Sequence, residues 1–301
     1  MKKALLKKTL CFESIFTFII LASVFMPKLS ADEAAQKIKF FRPSVPGSVL
    51  SCNIEAEAKS STLMTTEDGR KSEKNLCNKI KIAGIMTIKT VTEFGRPATI
   101  EFKVDKVKGD INGQEIKFAS ENKDLDINLE SKPCEFRIKD GSADISREEK
   151  LLLSLVFRKS GKENLSDFIG TDKEVKVGDS WKTPVGPLQN EFEKRKLKVD
   201  DLAVDGMVKL AEKKEVSGYE CWLFNAGMNA RKGDEFEFDF KVEVSLPTDE
   251  KIGAVKTSRV CVEKMSKKIV DKENAMMPDL KEISLTVSDN MTVLAVPAVK
   301  K

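Results

Sequence analysis

Apolar and polar side chains alternate with a period of two over long stretches of this chain. The clearest stretch is Glu235–Leu246, where Phe236, Phe238, Phe240, Val242, Val244 and Leu246 alternate with Glu235, Glu237, Asp239, Lys241, Glu243 and Ser245. Such alternation puts every apolar side chain on one face of a strand. A strand wet on its other face belongs to antiparallel sheet. Ile100, Phe102 and Val104 repeat the pattern, as do Leu125, Ile127 and Leu129, and Ile283, Leu285 and Val287. Met291, Val293 and Ala295 continue past Ser288-Asp289-Asn290. Lys79–Ile88 slips phase at Ala83-Gly84, which predicts a bulge. Asp68-Gly69, Asn112-Gly113, Asp140-Gly141 and Asp205-Gly206 read as hairpin dipeptides, with Ser217-Gly218 and Ile252-Gly253 as two further turns.

One segment has helical spacing instead. Ser146-Arg147-Glu148-Glu149 is a capping box ahead of Lys150–Arg158. Leu151, Leu152, Leu155 and Val156 form an apolar stripe that Leu153 and Phe157 broaden, which suits a helix lying across a sheet. Asn164–Ile169 reads as a second short turn ending at Gly170. The expected fold is mainly β and antiparallel: a curved sheet, half-barrel or sandwich with one amphipathic helix near its middle. The helical segment 146–170 separates β-rich halves 32–145 and 171–301, as two units or as one continuous domain.

The first 31 residues have a different character. Lys2, Lys3, Lys7 and Lys8 precede an apolar run, Ile15–Met26, and Leu29-Ser30-Ala31 precedes Asp32. That is the layout of an export signal cut near Ala31. The run is shorter than the ~18–20 apolar residues a spanning helix needs, so no stable membrane span is expected after processing. The chain is therefore expected in the periplasm or outside the cell. Taking five Lys and one Glu of the leader from 52 basic and 48 acidic residues leaves 47 of each. A neutral, mixed surface offers no basic face for nucleic acid.

Five cysteines follow the leader: Cys52, Cys77, Cys134, Cys221 and Cys261. An odd number leaves at least one thiol unpaired within the chain. Cys52 and Cys77 are nearest in sequence. Cys221 and Cys261 fall on strands that would flank a third, and two spacings of ~4.8 Å exceed the ~7 Å limit for a bridge. Their connectivity stays open. The chain has no histidine, which removes Ser-His-Asp and Cys-His nucleophile systems and the common zinc sites. No phosphate-binding glycine loop occurs and no cofactor is expected.

Several segments are candidates for chemistry. Asp124-Leu125-Asp126-Ile127-Asn128 followed by Glu135 matches part of a calcium loop, but Leu129 stands where the loop needs Gly, and the flanks read as strands. Ser120-Glu121-Asn122-Lys123 fits S-x-x-K without the further motifs that pattern requires. A pair of carboxylates could serve a histidine-free hydrolase, and no pair is singled out. Phe236, Phe238 and Phe240, with Leu152 and Leu155 of the helix, could line a site for an apolar ligand or form ordinary core. Trp181 is expected as a structural anchor at the end of Val175-Lys176-Val177-Gly178-Asp179-Ser180-Trp181.

That last segment, with the helix before it and the Val204–Phe224 strand pair after it, resembles uncharacterised secreted bacterial β-rich families with a VxVGxxW segment. The resemblance implies architecture and export only. A looser architectural likeness is to half-barrel carriers of lipoproteins. The expected function is a non-enzymatic binding or envelope-associated protein for an apolar ligand or a protein partner. The alternatives are a carboxylate- or Lys-dependent hydrolase and a purely structural scaffold.

Overall fold

Among the described residues twelve strands join one antiparallel sheet, and the longest unbroken alternation of the sequence falls on one of them. A computed structural model describes residues 34–159, 165–184, 186, 192, 201–268 and 280–298; the leader Met1–Ala31 lies outside them. The strands are β1 (Val49–Thr66), β2 (Lys71–Val91), β3 (Pro97–Ile111), β4 (Gln114–Glu115), β5 (Asp124–Asn128) and β6 (Glu135–Ile138). Helices α1 (Arg147–Val156) and α2 (Leu165–Ile169) follow. Then come β7 (Ser180–Lys182), β8 (Ala203–Val216), β9 (Tyr219–Lys232), β10 (Phe236–Pro247), β11 (Lys256–Lys268) and β12 (Leu280–Pro297). The order is β6-β5-β3-β2-β1-β12-β11-β10-β9-β8-β7, with β4 paired to β3. The sheet is curved and does not close: β6 and β7 are its edges. The first and last long strands, β1 and β12, meet at its centre.

Turn chemistry sets the hairpins. Asp68-Gly69 joins β1 to β2, and Ser217-Gly218 joins β8 to β9. Ser217 (φ 53°) and Gly218 (φ 83°) supply the consecutive positive φ values of a tight hairpin turn, as do Asn112 (φ 53°) and Gly113 (φ 81°) between β3 and β4. Two hairpin expectations are corrected. Asp205-Gly206 lies inside β8, where an added Cβ on Gly206 would sit 3.0 Å from Cβ of Thr183. The glycine permits close approach there instead of a turn. Asp140-Gly141 ends β6 and leads toward α1, not into another strand. A register shift does fall at Ala83-Gly84, but the expected slip within Lys79–Ile88 is corrected. Ala83 faces Lys106 and Gly84 faces Val104, so the extra residue is Asp105 of β3, while β2 keeps its phase with Ile80, Ile82 and Ile88 buried on one face.

One face of the sheet, called inner here, carries the cores. On one arm Ile54, Ile80, Ile82, Phe102, Leu125 and Ile127 pack under Leu152, Leu153, Val156 and Phe157. Ser146 Oγ accepts from the Glu149 N–H at 3.1 Å, forming the N-cap that the sequence predicts. The Glu149 carboxylate turns inward instead of completing the box. Fully buried, it accepts from the N–H groups of Ala119 and Ser120, each at 3.0 Å. The buried stripe of α1 is Glu149, Leu152, Leu153 and Val156, while Leu151, expected within it, is 46% exposed.

On the other arm, Val208, Leu210, Trp222, Phe224, Val242, Val244 and Leu246 pack with Ile38 and Ile169. Beside them, Phe236, Phe238, Met228, Ala230 and Leu202 pack with Phe192. The segment before β1 links the arms. Gln36 and Val175 exchange two backbone hydrogen bonds at 3.0 and 2.9 Å, and the Ser44 N–H reaches the Gly95 carbonyl at 2.8 Å. Ala35–Lys301 forms one compact unit.

Candidate functional site

Strand register brings together an apolar strip that belongs to neither helix-covered arm. Along the inner face, Asp289, Val287, Leu285 and Ile283 of β12 stand opposite Ala58, Ser60, Thr62 and Met64 of β1. On the other side they stand opposite Cys261, Glu263, Met265 and Lys267 of β11. Leu76 of β2 faces Ser60. Leu76 is 40% exposed and Met265 36%, while Ile283, Leu285 and Val287 are half-buried. The opposite face of β12 is polar. There Ser284 and Ser266 hydroxyls lie 3.2 Å apart, and the Thr292 hydroxyl donates to Ser258 Oγ at 3.2 Å.

A charged cluster closes one end of the strip. Asp289 Oδ1 accepts from Nη2 of Arg158 at 2.7 Å, and its Oδ2 from Nη2 of Arg259 at 3.5 Å. Arg158 follows α1 and is oriented by Nε donating to the Leu155 carbonyl at 3.0 Å. Arg259 Nη2 also lies 3.8 Å from Met291 Sδ, and Arg259 Nε is buried without a hydrogen-bond partner. Burial pulls the Arg259 guanidinium below its usual pKa, the repulsion from Arg158 adds to this, and Asp289 opposes it. A guanidinium stays charged through such a shift.

The residues singled out from the sequence fall elsewhere. Phe236 and Phe238 are buried, and Phe192 meets them edge-on at centroid distances of 6.0 and 5.6 Å. Phe240 is half-buried and lies 6.1 Å from Phe168. The stripe is therefore filled by aromatic side chains. Leu152 and Leu155 pack in the core under α1, on the other arm, so the helix and the Phe stripe do not enclose a shared space. Trp181 is half-buried. Its indole N–H donates to the Ile169 carbonyl at 3.1 Å, and its ring meets Phe40 and Phe224 edge-on at 6.2 and 6.3 Å.

Asp124–Asn128 is strand β5, with Leu125 and Ile127 buried. Asp126 pairs with Arg137 at 3.4 Å, and Glu135 faces Asn128 across the pair, so these carboxylates do not converge. Ser120 is buried, while Lys123 pairs outward with Asp140 at 3.1 Å. Cys52, Cys77, Cys134, Cys221 and Cys261 are thiols. Cys52 pairs in register with Gly84 and lies seven positions from Cys77 along β2, about 23 Å. Cys221 and Cys261 lie on opposite sides of β10.

Open depressions of about 430 and 290 Å³ lie on the polar face, around Glu237 and around Glu57. Their charges are already matched: Glu237 pairs with Arg231 and Lys264, each at 2.8 Å, and Glu57 with Lys59 at 2.7 Å and Lys79 at 3.3 Å. Among the described residues no group of three or more acidic or thiol side chains is placed to hold a metal, and no helix is long and apolar enough to cross a membrane. The sequence reading missed the central strip and its arginines. The available signal was Asp289 itself, a charge standing in phase with Leu285, Val287 and Met291.

No family model matches the sequence, and no curated protein sequence matches it. Among solved structures, the chain is similar to lipovitellin over 87% of its length, with a TM-score of 0.32 and 7% identity, and it spans only 26% of that chain. It is similar over 83% of its length to a Bacteroides fragilis protein with a YmcC-like fold, 98% of which it covers, at a TM-score of 0.19 and 11% identity. It is similar over 89% of its length to the P. putida toluene transporter TodX, 96% of which it covers, at a TM-score of 0.19 and 7% identity. Scores this low do not place the chain in any of these folds.

Proposed function

We propose that this chain is an exported, non-enzymatic binding protein that holds an apolar ligand on the central strip of its inner sheet face. One observation carries the reading. Leu76 and Met265 stay exposed, and Ile283, Leu285 and Val287 half-exposed, on the face that is packed on both arms. Contiguous exposed apolar surface on a soluble protein marks a site of interaction. A ligand lying there removes that surface from water at a gain of roughly 25 cal/mol per Å². The export-signal layout of Met1–Ala31 supports the exported part of this reading, since outside the cytoplasm such ligands must cross water between membranes or cells.

The test is extraction. Purified, processed protein is examined by native mass spectrometry, then extracted with organic solvent and the extract analysed. A co-purifying apolar species, lost on extraction and rebound on addition, is the expected result. Repeated absence of any such species, together with failure to bind a neutral apolar fluorophore, would overturn the reading.

A further inference from the structure

The cluster at the end of the strip sets two guanidinium groups against one carboxylate. Among the described residues, Arg259 Nη2 reaches Asp289 at 3.5 Å and Met291 Sδ at 3.8 Å, and Nε is buried without a hydrogen-bond partner. The neighbouring strands supply no second acid. Ala58 and Ala56 stand opposite Asp289 and Met291, and Val242 and Phe240 stand opposite Arg259 and Cys261. The next acid along the inner face of β11 is Glu263. It lies four residues, about 13 Å, from Arg259 and has a partner of its own. A half-buried guanidinium with unused donors in apolar surroundings favours a second anion, which would be held by charge-assisted hydrogen bonds. From Asp289 the inner-face positions continue through Val287 and Leu285 to Ile283, a run of about 20 Å.

The geometry points to an anionic amphiphile as the ligand, with its carboxylate or phosphate on Arg259 and Arg158 and its acyl chain along Val287, Leu285 and Ile283. This rests on the apolar-binding reading above and adds the head group to it. Asp289 orients the two arginines and keeps the ligand-free cluster from carrying two unmatched charges.

Displacement of a neutral apolar fluorophore tests it, using a long-chain fatty acid, the alcohol of the same length and the matching alkyl phosphate. The processed protein should bind the acid or the phosphate about tenfold or more tighter than the alcohol. Whichever anion binds better tells a fatty acid from a phospholipid-like source. Arg259→Met should remove the preference, weakening the acid or the phosphate by about tenfold or more and the alcohol by much less. Asp289→Asn, which releases both guanidinium groups, should strengthen anion binding. Circular dichroism monitors the fold, and Arg158→Met serves if Arg259→Met does not fold. Equal binding of acid and alcohol by the unaltered protein overturns the head-group assignment and leaves the apolar reading standing. Failure of all three ligands to bind overturns both.

Discussion

Arg158 reaches Asp289 across 131 positions of sequence and closes to 2.7 Å. The bond ties the end of α1 to β12, the strand on which the two arms of the sheet meet. It also explains how a charged residue is accommodated on an apolar face in mid-strand: both carboxylate oxygens are held by guanidinium groups. Removing the carboxylate leaves two like charges facing one another. Asp289→Ala should therefore lower the unfolding free energy by about 1–3 kcal/mol. The Arg158 side chain is 39% exposed, so Arg158→Ala should cost no more than about 1 kcal/mol. Urea unfolding of the two variants should give clearly different midpoints, and equal midpoints would contradict the assignment.

Glu149 holds the loop before β5 from inside the first core. Glu149→Ala leaves the N–H groups of Ala119 and Ser120 without their acceptors, at a cost of about 1–3 kcal/mol each. Glu149→Gln keeps one oxygen and should cost about half as much. Ser146→Ala removes only the cap and should cost about 1 kcal/mol. This ranking can be read from thermal or urea unfolding; a Glu149→Ala protein as stable as Ser146→Ala would show that the carboxylate is not an anchor.

Gly84 and Gly253 make a contrasting pair. An added Cβ at Gly84 would overlap the carbonyl oxygen of Lys103 beside the bulge, whereas Gly253 has open space and a negative φ. Gly84→Ala should cost more than about 3 kcal/mol or prevent folding, and Gly253→Ala should stay within about 0.5 kcal/mol of the parent. Soluble yield and unfolding midpoints check both.

On the polar face, hydrogen bonding to Lys59 holds the Glu57 carboxyl below its ordinary pKa; Lys139 does the same for Glu101, and Lys264 for Glu237. A carboxyl lowered in the folded state contributes stability above its unfolded pKa, about 4.3. That contribution disappears as pH falls through the folded value. The unfolding midpoint should hold level from neutral pH to about pH 5 and decline below it, and added salt should shrink the decline because these pairs are exposed. A midpoint that rises on acidification would contradict this.

Burial pushes the Cys52 thiol up to about 12, and burial also raises Cys134 and Cys221. At mild alkaline pH a disulfide reagent should therefore label native Cys52 very slowly, because the thiolate is the reactive form. Unfolded without reductant, a protein beginning at Asp32 should titrate five thiols. A lower count that reductant restores would show a disulfide among them.

The sheet was legible because its strands obey a simple rule. Glu235–Leu246 alternates without a fault, and β10 occupies that stretch with Phe236, Phe238, Val242, Val244 and Leu246 buried. The Ser146 cap and the Ser217-Gly218 turn were legible because each depends on neighbouring residues alone, whereas the irregularity opposite Ala83-Gly84 belongs to Asp105 of the paired strand. Gly206 misled because its φ and its contacts depend on Thr183, which comes alongside only through the pairing of β7 with β8. The partition of the inner face was hidden for the same reason. Which strands lie under α1, which lie under Phe192 and which stay open follows from the β1–β12 pairing, a contact between the two ends of the sheet's sequence. Asp289 broke the local pattern, and its arginines come from two other elements of the chain.

The most direct test places a charge within the strip. Val287 lies on the half-exposed inner face of β12 between strands that pair with it along nearly their full length, so Val287→Asp should fold. A neutral long-chain alcohol should bind this variant at least about tenfold more weakly than the parent, because a carboxylate cannot be desolvated under an acyl chain. Undiminished binding by a folded Val287→Asp protein would contradict the placement of the ligand on this face.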